Sequence, residues 1–268
     1  MSRLRPPSGR SPVAIAADLG THTLYIANVG SGTTGTVSML NPATCNATDQ
    51  AGCTNLPVLQ VPGGRPDGIV ADPATGTIYV TTIPRGGADL ISVFNAATCN
   101  ASDTSGCGQK PALLRVGHSA NGGSDLSVAI NDLTNTLYVT NVVYASQTAH
   151  TVYVFNGATC NGTNHTGCGQ TTATSAAGFG AAGVAVDPGI HKVYATNGED
   201  TSVSVINGAT CNATDHAGCN QTPAEVAVGN YPNAAGIDVS LGTAYVSNLD
   251  NTVSVIPLSH CPSQRAGS

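Results

Sequence analysis

Tyr138-Val-Thr-Asn141 returns, with small substitutions, as Tyr25-Ile-Ala-Asn28, Tyr79-Val-Thr-Thr82, Tyr194-Ala-Thr-Asn197 and Tyr245-Val-Ser-Asn248. Successive tyrosines stand 54, 59, 56 and 51 residues apart. A repeat of about 55 residues has room for four short strands with their loops. Self-similarity at a fixed period also marks an architecture whose units bury their apolar faces only against one another.

Within each repeat, runs of β-branched residues come in a fixed order, punctuated by Gly, Pro, Asn and Asp. In the second repeat, strand A is Gly68–Asp72 and strand B is Thr77–Thr81, joined by the Pro73-Ala-Thr-Gly76 turn. Strand C is Leu90–Phe94, matched by Thr36–Leu40, Thr151–Phe155, Ser202–Ile206 and Thr252–Ile256. Strand D is Ala112–Val116, matched by Val58–Val61 and Ala224–Val228. No amphipathic helix of useful length is present. The predicted fold is all-β: a β-propeller of four-stranded antiparallel blades with five repeats visible, either five-bladed or a piece of a larger, seven-bladed ring. A sandwich does not explain the period. The predicted limits are a tail or closing edge strand at 1–11, one propeller domain at 12–261 and a C-terminal tail at 262–268. The blades fall at about 12–63, 64–117, 118–178, 179–229 and 230–261.

Eight of the nine cysteines keep the same beat, as Cys45/Cys53, Cys99/Cys107, Cys160/Cys168 and Cys211/Cys219, always between strands C and D. Turn-forming Asn, Asp and Gly between them let the two thiols meet, so four local disulfides are expected, in exposed loops. Persistent pairing implies an oxidising compartment, hence an extracellular, periplasmic or cell-surface location. The spacing is too long for a zinc knuckle. One carboxylate per loop is too few for calcium, and Asn164 replaces the aspartates Asp49, Asp103 and Asp215 of the other loops. Asn46, Asn100, Asn161 and Asn212 each open an Asn-x-Ser/Thr sequon, which permits glycosylation in a host that performs it. Cys261 begins a fifth loop whose second cysteine is absent, and Met1–Pro7 has no apolar signal core. A piece of a longer chain is the expectation that accounts for both ends.

Composition narrows the function classes. Charged residues are 9% of the chain and the formal net charge is −6. The nine cations are scattered, so no stripe neutralises successive phosphates and no nucleic-acid partner is expected. No apolar run is long enough to span a bilayer.

The Tyr-Val-Thr-Asn tetrapeptide, preceded by the Asp72-Pro-Ala-Thr-Gly76 turn and followed by a Val-Ser-Val-Ile strand, resembles the YVTN-repeat β-propellers, which include YncE-like bacterial proteins and archaeal surface-layer proteins. The resemblance covers about residues 12–256. It implies extracytoplasmic, mostly non-enzymatic binding or surface roles. Such proteins usually have seven blades, where five repeats are visible here.

In an up-and-down blade the cysteine loops and Asp-Pro turns share one rim, and the B–C and D–A loops share the other. Loops on a rigid scaffold are where binding sits. The polar residues gathered on the second rim are Arg65, Asp67, Arg85, Asp89, His118, Asn121, Asp125, His150, Glu199, Asp200, Tyr231 and Asp250. They are the candidate contacts for an unknown protein or small-molecule ligand. No catalytic residue, metal ligand or cofactor is assigned, because no convergent acid, base or metal set is visible and the glutamates are only Glu199 and Glu225. The rival reading is a propeller lyase or lactonase with a metal or His/Glu site at the channel mouth, drawing on His118, His150, Glu199 and nearby aspartates. A structural cell-surface array is the third. His22 and His191 occupy equivalent A–B turns on the opposite rim.

Overall fold

The computed structural model describes residues 11–30, 34–84, 86–117, 124–143 and 151–258. Among these residues nineteen strands follow one another in antiparallel sheets whose spatial order is the chain order. Sheet 1 comprises β1 (Pro12–Asp18), β2 (Thr23–Asn28), β3 (Gly35–Leu40) and β4 (Val58–Val61). Sheet 2 comprises β5 (Arg65–Asp72), β6 (Thr77–Ile83), β7 (Asp89–Asn95) and β8 (Ala112–Val116). Sheet 3 comprises β9 (Ser124–Asn131), β10 (Thr136–Val143), β11 (Thr151–Asn156) and β12 (Ala173–Ala176). Sheet 4 comprises β13 (Ala181–Asp187), β14 (Lys192–Asn197), β15 (Ser202–Asn207) and β16 (Ala224–Ala227). Sheet 5 has three strands among the described residues, β17 (Pro232–Asp238), β18 (Thr243–Asn248) and β19 (Val253–Pro257). Helical geometry among them is limited to 3-10 turns, at Ala51–Cys53 and at Leu258. The all-β, five-repeat propeller reading holds.

The chain forms two compact units: Met1–Gly122 with Ala158–Gln170, and Gly123–Gly157 with Thr171–Ser268. In the first, Tyr25, Ala27, Val37 and Met39 of sheet 1 pack on Ile69, Ile78, Val80 and Phe94 of sheet 2. In the second, Tyr138, Val152 and Val154 of sheet 3 meet Val184, Val193, Ala195 and Ile206 of sheet 4. The other face of sheet 4, with Tyr194, Val203 and Val205, meets Ala244, Val246 and Ile256 of sheet 5. Each fully buried Val or Ile contributes roughly 1.5–3 kcal/mol.

Each position of the repeated tetrapeptide has a separate task. The tyrosine is a latch. Tyr25 Oη donates to Cys99 O at 3.1 Å, Tyr79 Oη to Cys160 O at 2.9 Å and Tyr138 Oη to Cys211 O at 2.7 Å. Two residues earlier a threonine hydroxyl accepts from the same loop: Ala101 N to Thr23 Oγ1 at 3.1 Å, Gly162 N to Thr77 Oγ1 at 2.8 Å and Ala213 N to Thr136 Oγ1 at 2.9 Å. The cysteine loop that follows one sheet's strand C is thus fastened to strand B of the preceding sheet. All three tyrosines are fully buried, and desolvation raises their pKa values, that of Tyr25 to about 12.

The valine of the tetrapeptide fills the core. The threonine holds a bulge in strand A, where register shifts between Pro66 and Ile69 and between Ala181 and Val184. There Gly68 N donates to Thr81 Oγ1 at 2.6 Å and Gly183 N to Thr196 Oγ1 at 2.7 Å. The asparagine ties strand B to strand C: Asn28 Nδ2 reaches Ser38 Oγ at 3.1 Å, Asn197 Nδ2 reaches Ser204 Oγ at 3.1 Å and Asn248 Nδ2 reaches Ser254 Oγ at 3.0 Å.

All four expected disulfides are present: Cys45–Cys53, Cys99–Cys107, Cys160–Cys168 and Cys211–Cys219, with Cα–Cα distances of 4.7–4.9 Å. Their surroundings correct the expectation of exposed loops. Cys45, Cys53, Cys99, Cys160, Cys211 and Cys219 are buried, because the latch draws each bridge against the sheets or, for Cys45 and Cys53, because Leu40 and Leu56 cover it. Cys107 and Cys168 are the exceptions, half-buried at the outer end of their loops. Cys107 still packs on the core between sheets 1 and 2. Cys168 instead borders a shallow surface hollow with Leu113, Arg115 and Gln170. Both are oxidised, each held in its disulfide.

The sequon asparagines also differ from expectation. Asn100, Asn161 and Asn212 are buried, because each carboxamide is an internal brace; Asn46 alone is exposed. Asn212, for example, donates to Gly208 O and Ala209 O and accepts from Thr214 N and Asp215 N.

Three further details depart from the sequence reading. β12 (Ala173-Thr-Ser-Ala176) has no β-branched run of its own and forms because the edge of β11 supplies its partners. Arg65 and Asp67 lie inside β5, Asp89 inside β7 and Asp125 inside β9, where loops were expected. In sheet 2 the bulge lets strand A continue past its apolar run, so pairing reaches Arg65↔Ile83, and in sheet 3 an unbroken register reaches Ser124↔Val143. The proposed edge strand before Pro12, Cys261 and the residues after 258 lie outside the described residues.

Candidate functional site

The A–B turns are built alike. Aspartate at the end of strand A accepts from the turn, as in Gly20 N to Asp18 Oδ1 at 2.8 Å and Thr75 Oγ1 to Asp72 Oδ2 at 2.6 Å. The residue before strand B is left-handed and is filled by His22 (φ 51), Gly76 (φ 59), Asn135 (φ 47), His191 (φ 52) and Gly242 (φ 58). His22 and His191 are therefore turn formers. Asp187 and Asp238 serve the same kind of turn, while Asp49, Asp103 and Asp215 brace cysteine loops. Among the described residues, no three His, Cys, Asp or Glu side chains converge as a metal would need.

The opposite strand ends behave differently. In the second unit, the loops before strand A and after strand B are zipped by backbone bonds: Gly198 N to Gly180 O at 2.8 Å, Glu199 N to Phe179 O at 3.1 Å and Leu249 N to Tyr231 O at 3.1 Å. Gly180 is obligatory, with φ +67 and with Glu199 Cγ only 2.8 Å from where a Cβ would stand. These loops enclose a hollow of about 210 Å³ whose wall includes Val142, Ala182, Glu199, Tyr231, Pro232 and Leu249. Tyr231 is 59% exposed and Leu249 69% exposed at its edge, and Glu199, exposed as well, lines it beside them. Tyr231 has φ 53 at the position that Gly180 occupies one repeat earlier. A left-handed conformation costs a non-glycine residue roughly 1–2 kcal/mol, and an exposed aromatic ring held in one draws attention to function.

Of the predicted contacts, Glu199 and Tyr231 meet in this hollow, with Asp200 and Asp250 beside them in sequence. Asp250 is committed locally: the Thr252 hydroxyl and then the Asn230 amide hold its carboxyl below the usual range, at 2.5 Å and 2.8 Å. Asp200 accepts from Thr201 N at 2.8 Å. Arg65 and Asp67 form an ion pair at 3.6 Å in the first unit, Asp89 is buried there, and Asp125 stands on β9 in the second. These do not belong to the hollow. Arg85, His118, Asn121 and His150 lie outside the described residues. Val142, Pro232 and Leu249 escaped notice because they are apolar, and Asn233 because nothing in the sequence sets it apart from other turn asparagines. The legible signal was Leu249, an apolar residue between Asn248 and Asp250 in a two-strand turn.

No protein-family model and no curated protein matches the chain. Solved structures do resemble it. The chain is similar to one in the crystal structure of a nidogen/laminin complex, with a TM-score of 0.57 and 12% identity over 95% of this chain and 78% of that one. It is also similar to one in the mitotic checkpoint complex, with a TM-score of 0.59 and 13% identity over 90% and 60%. A functionally unknown protein from Desulfotomaculum acetoxidans DSM 771 gives a TM-score of 0.60 and 12% identity over 92% and 69%. These likenesses show a β-propeller-type fold.

Proposed function

We propose that the protein is a non-enzymatic binding module that receives a protein partner in the Glu199–Tyr231 hollow. The observation that carries this reading is the pairing of an exposed, strained aromatic ring with a carboxylate at the mouth of a small apolar recess. At about 210 Å³ the recess is smaller than the 300–1,000 Å³ usual for small-molecule sites. It suits one long side chain. The second unit carries nine acidic and two basic residues, so its field favours a cationic one, Lys or Arg, whose stem lies on Tyr231 and Leu249 and whose head meets Glu199. Two of the similar chains come from a nidogen/laminin complex and from the mitotic checkpoint complex, which agrees with a protein partner. The four disulfides support an oxidising, extracytoplasmic setting. The in-register tetrapeptides support a place among the YVTN-repeat propellers.

The test is a titration of labelled protein with blocked hexapeptides holding one Lys or Arg among apolar residues, against matched peptides with norleucine there. Amide shifts confined to Gly180, Glu199, Tyr231 and Leu249, produced by the basic peptides alone, are expected. Glu199→Gln weakens binding by up to about fivefold, the value of an exposed ion pair, and Tyr231→Ala by about 30-fold as an aromatic anchor. Equal response to norleucine, or shifts elsewhere, refutes the reading.

A further inference from the structure

Each four-stranded sheet ends in a strand D with one neighbour, and the four such strands are not alike. Among the described residues β8 pairs with β7 alone. Along such an edge alternate residues turn their N–H and C=O groups away from the ladder. A strand of five residues therefore offers, over roughly 17 Å, about four to six groups to an added strand. β4, β12 and β16 are one residue shorter, and their exposed side chains are Gln60, Thr174 with Ala176, and Glu225 with Ala227. On β8 they are Leu113, 44% exposed, and Arg115, two residues apart on one face.

The surroundings of β8 are preformed and of one charge. Leu113 and Arg115 border a hollow of about 350 Å³ whose other wall is Cys168, Gly169 and Gln170. That wall is fixed by the Cys160–Cys168 bridge and by Gln170, whose N and Nε2 both donate to Gly167 O, at 3.0 Å and 2.8 Å. Gly169 is exposed and leaves open space where a side chain would stand. The approach to β8 is clamped too, since Gln109 accepts from Asn95 N at 2.8 Å and donates to Asn95 O at 3.1 Å. Among the described residues Arg65 pairs with Asp67, whereas Arg115 and Lys110, both exposed, have no carboxylate within ion-pair distance. The first compact unit, to which all of these belong, holds seven of the chain's nine Lys and Arg residues but six of its fifteen acids.

We propose that β8 is the docking edge for an extended acidic peptide of a partner protein, which joins sheet 2 as a fifth strand. The peptide sets a carboxylate against Arg115 and, two residues along, an apolar side chain against Leu113. Main-chain bonds to the edge give affinity, and the two side-chain pairings give selectivity. The hollow leaves room for the added chain beside the edge. A charge on an edge strand discourages indiscriminate pairing; a guanidinium does so while admitting a strand of opposite charge. The reading is independent of that for the Glu199–Tyr231 recess, whose lining residues all belong to the second unit.

The full, oxidised, isotope-labelled chain is titrated with the blocked heptapeptide Thr-Thr-Glu-Thr-Val-Thr-Thr to about 5 mM, which reaches weak peptide binding. Expected are amide shifts at Leu113, Leu114, Arg115, Gly169 and Gln170, with slowed hydrogen exchange along β8. A peptide with Gln in place of Glu binds up to about fivefold more weakly, the value of an exposed ion pair. Arg115→Ala, at an exposed position, causes the same loss, and combining the two causes no more. Two N-methylated peptides test the strand pairing, one methylated on Glu and Val and the other on the three central Thr. The set of methyls that faces β8 abolishes binding, and the set that faces away leaves it. Absence of shifts at the highest concentration overturns the proposal, as do shifts confined to residues away from β8 and its hollow, equal binding of the Gln peptide, or binding by both methylated peptides.

Discussion

Replacing Tyr138 with phenylalanine isolates the latch. The substitution keeps the ring that packs on Val154, Val193 and Cys211 and deletes one oxygen, whose bond to Cys211 O is 2.7 Å long and fully buried. Nothing replaces it, so a buried carbonyl loses its donor. Such an orphaned group costs about 1–3 kcal/mol, above the 0.5–1.5 kcal/mol net worth of an average hydrogen bond. Tyr245→Phe is the control. It deletes the same oxygen from the same repeat position, but the residue is 39% exposed. A change there stays within about 0.5 kcal/mol. Urea unfolding of the oxidised protein, followed by circular dichroism and limited proteolysis together, reads both. For a chain of this size a loss of 1–3 kcal/mol lowers the thermal midpoint by roughly 2–10 °C. Equal midpoints for the two variants would refute the claim that the tyrosines fasten the loops.

Four other outcomes follow from the same geometry. Burial lifts Tyr25 to about 12, above the ordinary 10.0, so its contribution is complete below pH 10 and is lost as pH rises toward 12; urea midpoints of thiol-blocked protein fall across that window, and less so in Tyr25→Phe. Replacing Cys211 and Cys219 together with serine costs about 2.5 kcal/mol by loop-closure entropy, measurable as a lower urea midpoint and as earlier proteolysis between them. Asn212→Ala, which removes a buried brace, costs about 1–3 kcal/mol against a few tenths for exposed Asn46→Ala. Expression in a glycosylating host places sugar on Asn46, read by peptide mass spectrometry; a folded protein glycosylated on Asn212 contradicts the buried brace.

The recurrence of Tyr-x-x-Asn and of the cysteine pairs carried most of the architecture, because both are local in sequence and repeat in phase. What the tyrosine does was not legible. Its partner is a carbonyl 73–81 residues away, and a backbone acceptor has no side-chain signature. The same long-range contact buries Cys99, Cys160 and Cys211 while leaving Cys107 and Cys168 half-buried, a difference that the even spacing of the pairs does not announce. Strand β12 was invisible for a related reason: Ala173-Thr-Ser-Ala176 is a strand by virtue of its neighbour's edge rather than its own propensity. The sequons misled because Asn-x-Thr is also the pattern of an asparagine accepting from the amides two and three residues on, as Asn212 does. At the candidate site, Glu199 and Tyr231 were found as polar loop residues, whereas Leu249 and Val142 were not. Their convergence depends on the backbone zippers between loops, which have no side-chain pattern.

The latch also gives the chain a direction. Sheets 1, 2 and 3 are each latched to sulfur-bridged residues made some 75 residues later. During synthesis the most recent sheet therefore waits, provisional, until the ribosome delivers its successor. Damage travels the other way: when a later repeat comes apart, the one before it loses its lid, and unravelling runs from the carboxyl side back toward the amino side.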